Sequence, residues 1–225
     1  MIVIITFLMV IFCLGILTKR TGKKRKSPET ISKSVEIGNE GEELVNNFLS
    51  DRTEGKLINN LLIKVHGTYA QIDHVFITNT GIYVIETKNY SGTIYGKEAD
   101  DKWTCVYRGG VKHSLYNPVK QNNTHIARLR VLLQDENVKI IPVVIFTSES
   151  CKLKYTVNSV CTLDYFKSDY NSMIVKNITG KEKMIDIDEY YKRLIKHDLS
   201  NDKTAVENQI KFANKAKYSS YKRKA

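Results

Sequence analysis

Two apolar segments constrain this chain more than anything else in it. Ile72–Thr78 (IDHVFIT) and Ile82–Thr87 (IYVIET) are rich in β-branched and aromatic residues and are joined by Asn79-Thr80-Gly81. Such residues pack well on a pleated surface, and Asn and Gly tolerate the backbone of a tight turn, so the pair predicts an antiparallel hairpin. A hairpin centred on residue 80 sets Asp73 opposite Thr87 and close to Glu86 and Lys88. Side chains two apart along a strand share a face, so Glu86 and Lys88 project together. Two carboxylates and an ammonium are therefore expected to converge at the end of an otherwise apolar hairpin.

The flanking sequence supplies the rest of a domain. Residues 36–50 (EIGNEGEELVNNFLS) place Leu44, Val45, Phe48 and Leu49 at helical spacing, with acids in the first turn where the helix dipole favours them. Leu57–Val65 reads as a strand, Thr93–Tyr95 and Trp103–Tyr107 as short strands, and Gly109-Gly110 as a tight turn. Asn117 is a good N-cap and Pro118 suits the first helical position, which predicts a helix to about Leu133. On that helix Gln121, His125 and Arg128 lie within about 60° of one another, beside a separate Ile126/Leu129/Leu133 stripe. Ile140–Thr147 (IIPVVIFT) has the continuous apolar character of a strand buried on both faces, and Pro142 predicts an edge position or an irregularity within it. Short strands around 153–161 and a helix over 163–172 close the domain. This order of helix, antiparallel strands, helix and strand predicts an α/β fold, a mixed sheet flanked by helices. Beyond it, 180–225 reads as a polar helical extension, with helices over 187–197 and 204–217 and a basic tail.

The N-terminus has a different character. Ile2–Leu17 carries no charge, and sixteen helical residues span about 24 Å, close to the roughly 30 Å hydrocarbon core of a bilayer. Residues 1–18 are expected to form a transmembrane helix. No base precedes the apolar run and no small-residue cleavage site follows it, which argues against a cleaved signal peptide. Lys19, Arg20, Lys23, Lys24, Arg25 and Lys26 follow it with no acid among them. By the positive-inside rule the N-terminus is expected outside and the domain in the cytoplasm, with 19–35 as a basic juxtamembrane linker. The net charge of +11 needs the same attention to place: six bases lie in 18–26 and six in 211–225, so the middle of the chain sits at −1. Bulk basicity thus says little about a substrate, and a binding groove must be a local patch. The four cysteines (Cys13, Cys105, Cys151 and Cys161) show no CxxC spacing and read as small buried thiols in a reducing compartment.

Clustered carboxylates repel unless a cation joins them, and a hard divalent ion takes oxygen ligands that it shares with water and phosphate. An ExK pair alone is a salt bridge more often than a catalytic site. Here it is accompanied by Gly38-Asn39-Glu40-Gly41-Glu42, Gln71-Ile72-Asp73-His74, Gly81 through Gly92 (GIYVIETKNYSG), Trp103, and Asn117-Pro118-Val119-Lys120-Gln121-Asn122. In that order these motifs resemble the nuclease-related domain, NERD, of the PD-(D/E)xK nuclease superfamily. The resemblance covers 36–147 most closely within a domain expected over 36–175, and Ile72 stands where the superfamily name has Pro. It implies a restriction-endonuclease-like core in which Asp73, Glu86 and the Thr87 carbonyl hold Mg²⁺ or Mn²⁺. It also makes Lys88 the catalytic lysine and Glu42 and Gln121 accessory site residues. The function implied is a membrane-anchored nuclease acting on nucleic acid, with DNA placed ahead of RNA. The alternative is an inactive module of the same fold that binds nucleic acid or a protein partner at the membrane. His125 and Arg128 either bind flanking phosphates or lie on a solvated helix face, whereas His74 is expected to face away from the site and Trp103 to belong to the core.

Overall fold

The computed structural model describes residues 28–154, 157–175 and 184–211. The expected anchor at 1–18, the linker as far as 27 and the tail from 212 lie outside them. Among the described residues no helix is long and apolar enough to cross a membrane. Helix α1 spans Pro28–Ser50 and so begins eight residues earlier than the sequence reading placed it. Proline is pre-organised for a first helical turn, and no breaker separates Pro28 from residue 36, so the last part of the expected linker is helical.

The main sheet has five strands in the order β1 (Gly55–Val65), β2 (Thr68–Thr78), β3 (Gly81–Lys88), β7 (Ile140–Phe146) and β9 (Val160–Thr162). The first three are antiparallel, whereas β3–β7 and β7–β9 are parallel. This is the mixed sheet expected. A second, four-stranded sheet was not foreseen. It is made of β6 (Lys112–Tyr116), β5 (Lys102–Val106), β4 (Thr93–Tyr95) and β8 (Lys152–Leu153), in that order. The sequence reading found the segments of β4 and β5 but not β6, whose KHSLY has a single fully buried side chain, Leu115.

Apolar side chains bury both faces of the main sheet. On one face, Val75, Ile77, Ile82 and Val84 meet Leu129 and Leu133 of α2 (Pro118–Leu133), together with Tyr190 and Leu194. The last two belong to α4 (Ile187–Ile195), which follows α3 (Leu163–Tyr170) in the chain. On the opposite face, Phe76, Tyr83, Ile85, Val143 and Ile145 meet Val45 and Leu49 of α1 and Phe166 and Tyr170 of α3. The 184–211 segment, expected as an appendage, lies against the sheet. The Ile185 amide donates to the Asn79 carbonyl, the Leu199 amide to Leu62, and Leu62 in turn to Asp198. The second sheet buries Ile94, Trp103, Cys105 and Leu115 against Val144 and Phe146, and the Trp103 and Phe146 rings stack 6.4 Å apart.

Three local features position the site. The β2–β3 turn is one residue tighter than expected: Thr78 pairs with Gly81 and His74 with Ile85. Thr78 Oγ1 accepts from the Thr80 amide and closes the turn over Asn79-Thr80 alone. That register carries Asp73 level with Glu86 rather than with Thr87. Next, strand alternation slips beside Asp73. The face that packs on α2 uses Leu61, Ile63 and Val65 but then Ile58 on β1, and Ala70 and Ile72 but then Val75 and Ile77 on β2. Asn60, with φ 53°, lies at the slip, and the pairing passes from Asn59–His74 to Leu61–Ile72 across it. A left-handed residue breaks the two-residue period as a bulge does. Finally, Pro142 pairs with Val84 inside the sheet, yet β9 begins to pair only at Val144. Val144 donates its amide to Ser159, and the nitrogen two residues earlier points the same way, to a side where β7 is still an edge. The expected irregularity is thus a local edge on an interior strand.

Asn122 stitches the parallel strands together. Its Nδ2 donates to the Val84 carbonyl at 2.8 Å and to the Val143 carbonyl at 3.0 Å, with the side chain fully buried. Removing this amide loses two hydrogen bonds in a dry interior, at about 1 kcal/mol each, and the orphaned carbonyls add to the cost. Asn122→Ala is expected to lower stability by about 2–4 kcal/mol, read as a shift of the urea midpoint without a change in slope. A shift equivalent to less than about 0.5 kcal/mol would count against the stitch.

Candidate active site

The site forms where β3 leaves the sheet, between α1 on one face and α2 on the other. Glu86 is fully buried on β3 and Lys88 is 6% exposed, while Asp73 is 1% exposed on β2. Lys88 Nζ donates to Glu86 Oε1 at 2.5 Å, and the Thr87 amide donates to Asp73 Oδ2 at 2.8 Å. Backbone and side chain of the ETK triplet therefore hold both carboxylates. His125, on α2, brings Nε2 to 3.3 Å from Glu86 Oε2. Gln121 is buried one turn earlier on that helix. The helix itself is fixed by Asn117, as the sequence indicates. Asn117 Oδ1 accepts from the Val119 and Lys120 amides, and Nδ2 donates to carbonyls of Lys97, Glu98 and Asp100.

Helix α1 delivers the third acid, Glu42, which is also buried. Gly41 makes the approach possible, because a Cβ there would stand 2.6 Å from Thr147 Oγ1 and 2.9 Å from Asn89 Cβ. Asn89, just past β3, donates Nδ2 to the Ile37 carbonyl and clamps the helix at this point. Gly41→Ala is expected to push α1 off the end of β3 and cost about 1–3 kcal/mol. A urea midpoint equal to that of the wild type would contradict the close-approach role.

Burial and mutual repulsion set the charge state. Burial pushes the Glu42 carboxyl up to about 7, with Glu86 adding to the rise and Lys88 opposing it. Asp73 is held well above the usual carboxylate value by burial, then by Glu86 and Glu42, against the pull of Lys88 and the Thr87 amide. Burial also acts to raise Glu86, but the Lys88 ammonium and His125 outweigh it and keep that carboxyl below its ordinary value. Glu86 is thus the ionised member of the group.

Three acids face one lysine, and the acceptors outnumber the donors. Glu42 Oε2, Asp73 Oδ1 and Gln121 Oε1 are buried without a hydrogen-bond partner. Each such orphan costs about 1–3 kcal/mol, and a hard cation with oxygen ligands would satisfy a set of this kind. The residues therefore fit a divalent ion. Among the described residues no group of three or more His, Cys, Asp and Glu side chains is gathered into a metal site. A cation here would draw further ligands from backbone, water or substrate, as Mg²⁺ commonly does.

The remaining residues singled out in the sequence divide in two. His74 faces away from the acids, as expected: its Nδ1 lies 2.7 Å from Asn59 Oδ1, and burial lowers its pKa to about 4. Arg128 departs from expectation. Its guanidinium donates to the Tyr69 carbonyl and to Thr68 Oγ1, which ties α2 to the start of β2. The sequence left it to phosphate or to a solvated helix face, and the structure instead lays it against the β1–β2 hairpin. Sequence reasoning also missed Asn60, although an Asn-Asn pair inside a strand is a signal for left-handed backbone.

A buried carboxylate pair and a lysine at the mouth of a mixed sheet define an α/β domain with a carboxylate–lysine centre. Residues 37–147 match the model of the nuclease-related domain, and the chain carries a domain of that family. An uncharacterized protein of Bacillus anthracis is 39% identical over 103 residues, which is 44% of this chain and 48% of that protein. Among solved structures, Can2 from Sulfobacillus thermosulfidooxidans in complex with cyclic tetra-adenylate aligns with a TM-score of 0.37 and 17% identity. That alignment covers 80% of this chain and 51% of the other. The matches span about half the length of both proteins.

Proposed function

We propose that this chain is a metal-dependent nuclease that hydrolyses phosphodiester bonds of DNA or RNA, tethered to a membrane through residues 1–18 with its domain on the cytoplasmic side. One observation carries the catalytic part: Asp73, Glu86 and Lys88 converge in a buried site that holds more acceptor oxygens than donors. The tether is supported by the uncharged run Ile2–Leu17 and the bases that follow it.

Asp73, Glu86 and the Thr87 carbonyl would hold Mg²⁺ or Mn²⁺, which when bound supplies Lewis acidity at a phosphoryl oxygen and a more acidic water. The chain's own groups do the rest. The Lys88 ammonium, kept in place by Glu86, orients the attacking water and offsets the negative charge that grows on the phosphoryl oxygens. Glu42 can carry a proton on its carboxyl near neutral pH and release it when positive charge enters the site. The Gln121 amide can donate from Nε2 to a phosphate oxygen.

The test uses the full chain in detergent with plasmid DNA, single-stranded DNA and RNA, each with Mg²⁺, Mn²⁺ or EDTA. Cutting that needs a metal and is lost in Asp73→Ala supports the proposal. Binding without cutting in every metal would instead identify an inactive module of the same fold.

A further inference from the structure

Among the described residues, His125 is the titratable side chain in contact with Glu86 that has no part in the proposed reaction. It is 6% exposed, and neither ring nitrogen has a hydrogen-bond partner. Buried imidazoles ordinarily satisfy at least one nitrogen. Nε2 nevertheless stands 3.3 Å from Glu86 Oε2, an oxygen that also lacks a hydrogen bond. Nitrogen and oxygen are at ion-pair distance, longer than a good hydrogen bond between them would be. Two donors of one cation have this relationship. Each lies about 2.1 Å from the ion, so ligands at right angles stand about 3 Å apart, and each lone pair points at the ion rather than at the other ligand. Lys88 occupies Oε1, which leaves Oε2 as the oxygen of Glu86 turned to this task.

We infer that His125 is a metal ligand, sharing one divalent ion with Glu86 through Nε2 and Oε2. The inference rests on the proposed reading that Glu86 holds a metal, and goes beyond it in the ligand set and in its consequence. An all-oxygen site suits Mg²⁺, whereas an imidazole ligand favours the transition ions, with Mn²⁺ the hardest of them. His125 therefore sets this site to prefer Mn²⁺ over Mg²⁺, within a site otherwise built of oxygen donors.

The opposing account makes His125 a cation that neutralises Glu86. The two differ in sign, because removing a ligand weakens Mn²⁺ binding whereas removing a competing positive group strengthens it. The experiment measures Mn²⁺ and Mg²⁺ affinity by calorimetry on the full chain in detergent, without nucleic acid, for the wild type, His125→Gln and Asp73→Asn. Wild-type chain is expected to bind Mn²⁺ at least about tenfold more tightly than Mg²⁺. His125→Gln is expected to lose about tenfold in Mn²⁺ affinity and most of that preference. Unchanged or tighter Mn²⁺ binding in His125→Gln overturns the inference and leaves the metal site standing. A wild type that binds neither ion, or Asp73→Asn binding both as the wild type does, overturns the underlying metal reading as well. Pulsed EPR of Mn²⁺-loaded wild type requires no folded variant. Modulation from a directly bound imidazole nitrogen supports the ligand, and its absence at saturating Mn²⁺ overturns it.

Discussion

Lys88→Ala is expected to slow cleavage by about 10³-fold, with a much smaller change in KM, the range typical when one preorganised charge-stabilising group is removed. Two effects combine. The ammonium that offsets charge on the phosphoryl group is gone, and Glu86 loses the partner held 2.5 Å away. All three carboxyls beside Lys88 would then rise, since the lysine pulls Glu42 and Asp73 down as well as Glu86. Lys88→Arg is not expected to restore the rate. Guanidinium is broader and planar, and the side chain sits in a site only 6% exposed. Single-turnover kinetics at saturating substrate read the chemical step directly. A variant within about threefold of the wild-type rate would remove Lys88 from the mechanism.

Glu42→Gln is expected to stabilise the metal-free protein at pH 8 by about 2–3 kcal/mol, or roughly 5–10 °C in Tm. The folded-state pKa of Glu42 is raised from 4.5 to about 7. Between those values the folded chain keeps a proton that the unfolded chain has released, so its contribution to stability is complete below pH 4.5 and is lost as pH rises through 7. Glutamine mimics the protonated acid at every pH. The difference between variant and wild type should thus be near zero at pH 4.5 and reach its full size above pH 7. His74 acts in the opposite sense. Its pKa falls to about 4, so its contribution is lost as pH drops from 6.5 through 4. Because His74 is common to both proteins, it cancels in the difference. Thermal melts in EDTA at pH 5 and pH 8 provide the check, and a difference that is the same at both values would show that Glu42 does not titrate in the folded state. A stabilising loss of an acid is also what a functional site predicts, because stability is sacrificed to hold like charges together.

The particular elements show how far sequence reached. Local chemistry was readable wherever it is decided within a few residues. Asn117-Pro118 starts α2 as its capping chemistry requires, and the β-branched runs of β2 and β3 pair across the Asn79-Thr80 turn. Binary pattern likewise gave α2 to Leu133 and the buried strand β7. The second sheet was not readable, because β6 carries too few apolar residues to declare itself and exists only where β5 offers an edge, and nothing in the sequence joins the short strand at 153 to β4. The partners of Arg128 were hidden for a related reason: they lie about sixty residues away in sequence.

The sequence by itself determined which residues compose the centre, since an acid on one strand and a Glu-x-Lys on its neighbour must meet if the hairpin forms. Tertiary structure alone decided what surrounds them and therefore how they titrate. It set α1 against the end of β3 through Gly41, so that Glu42 became a third buried acid. It turned His125 toward Glu86, and through the slip at Asn60 it seated Asp73 under the Thr87 amide. Spacing along a strand is fixed by covalent geometry, whereas desolvation and charge coupling depend on distances between segments that only packing brings together.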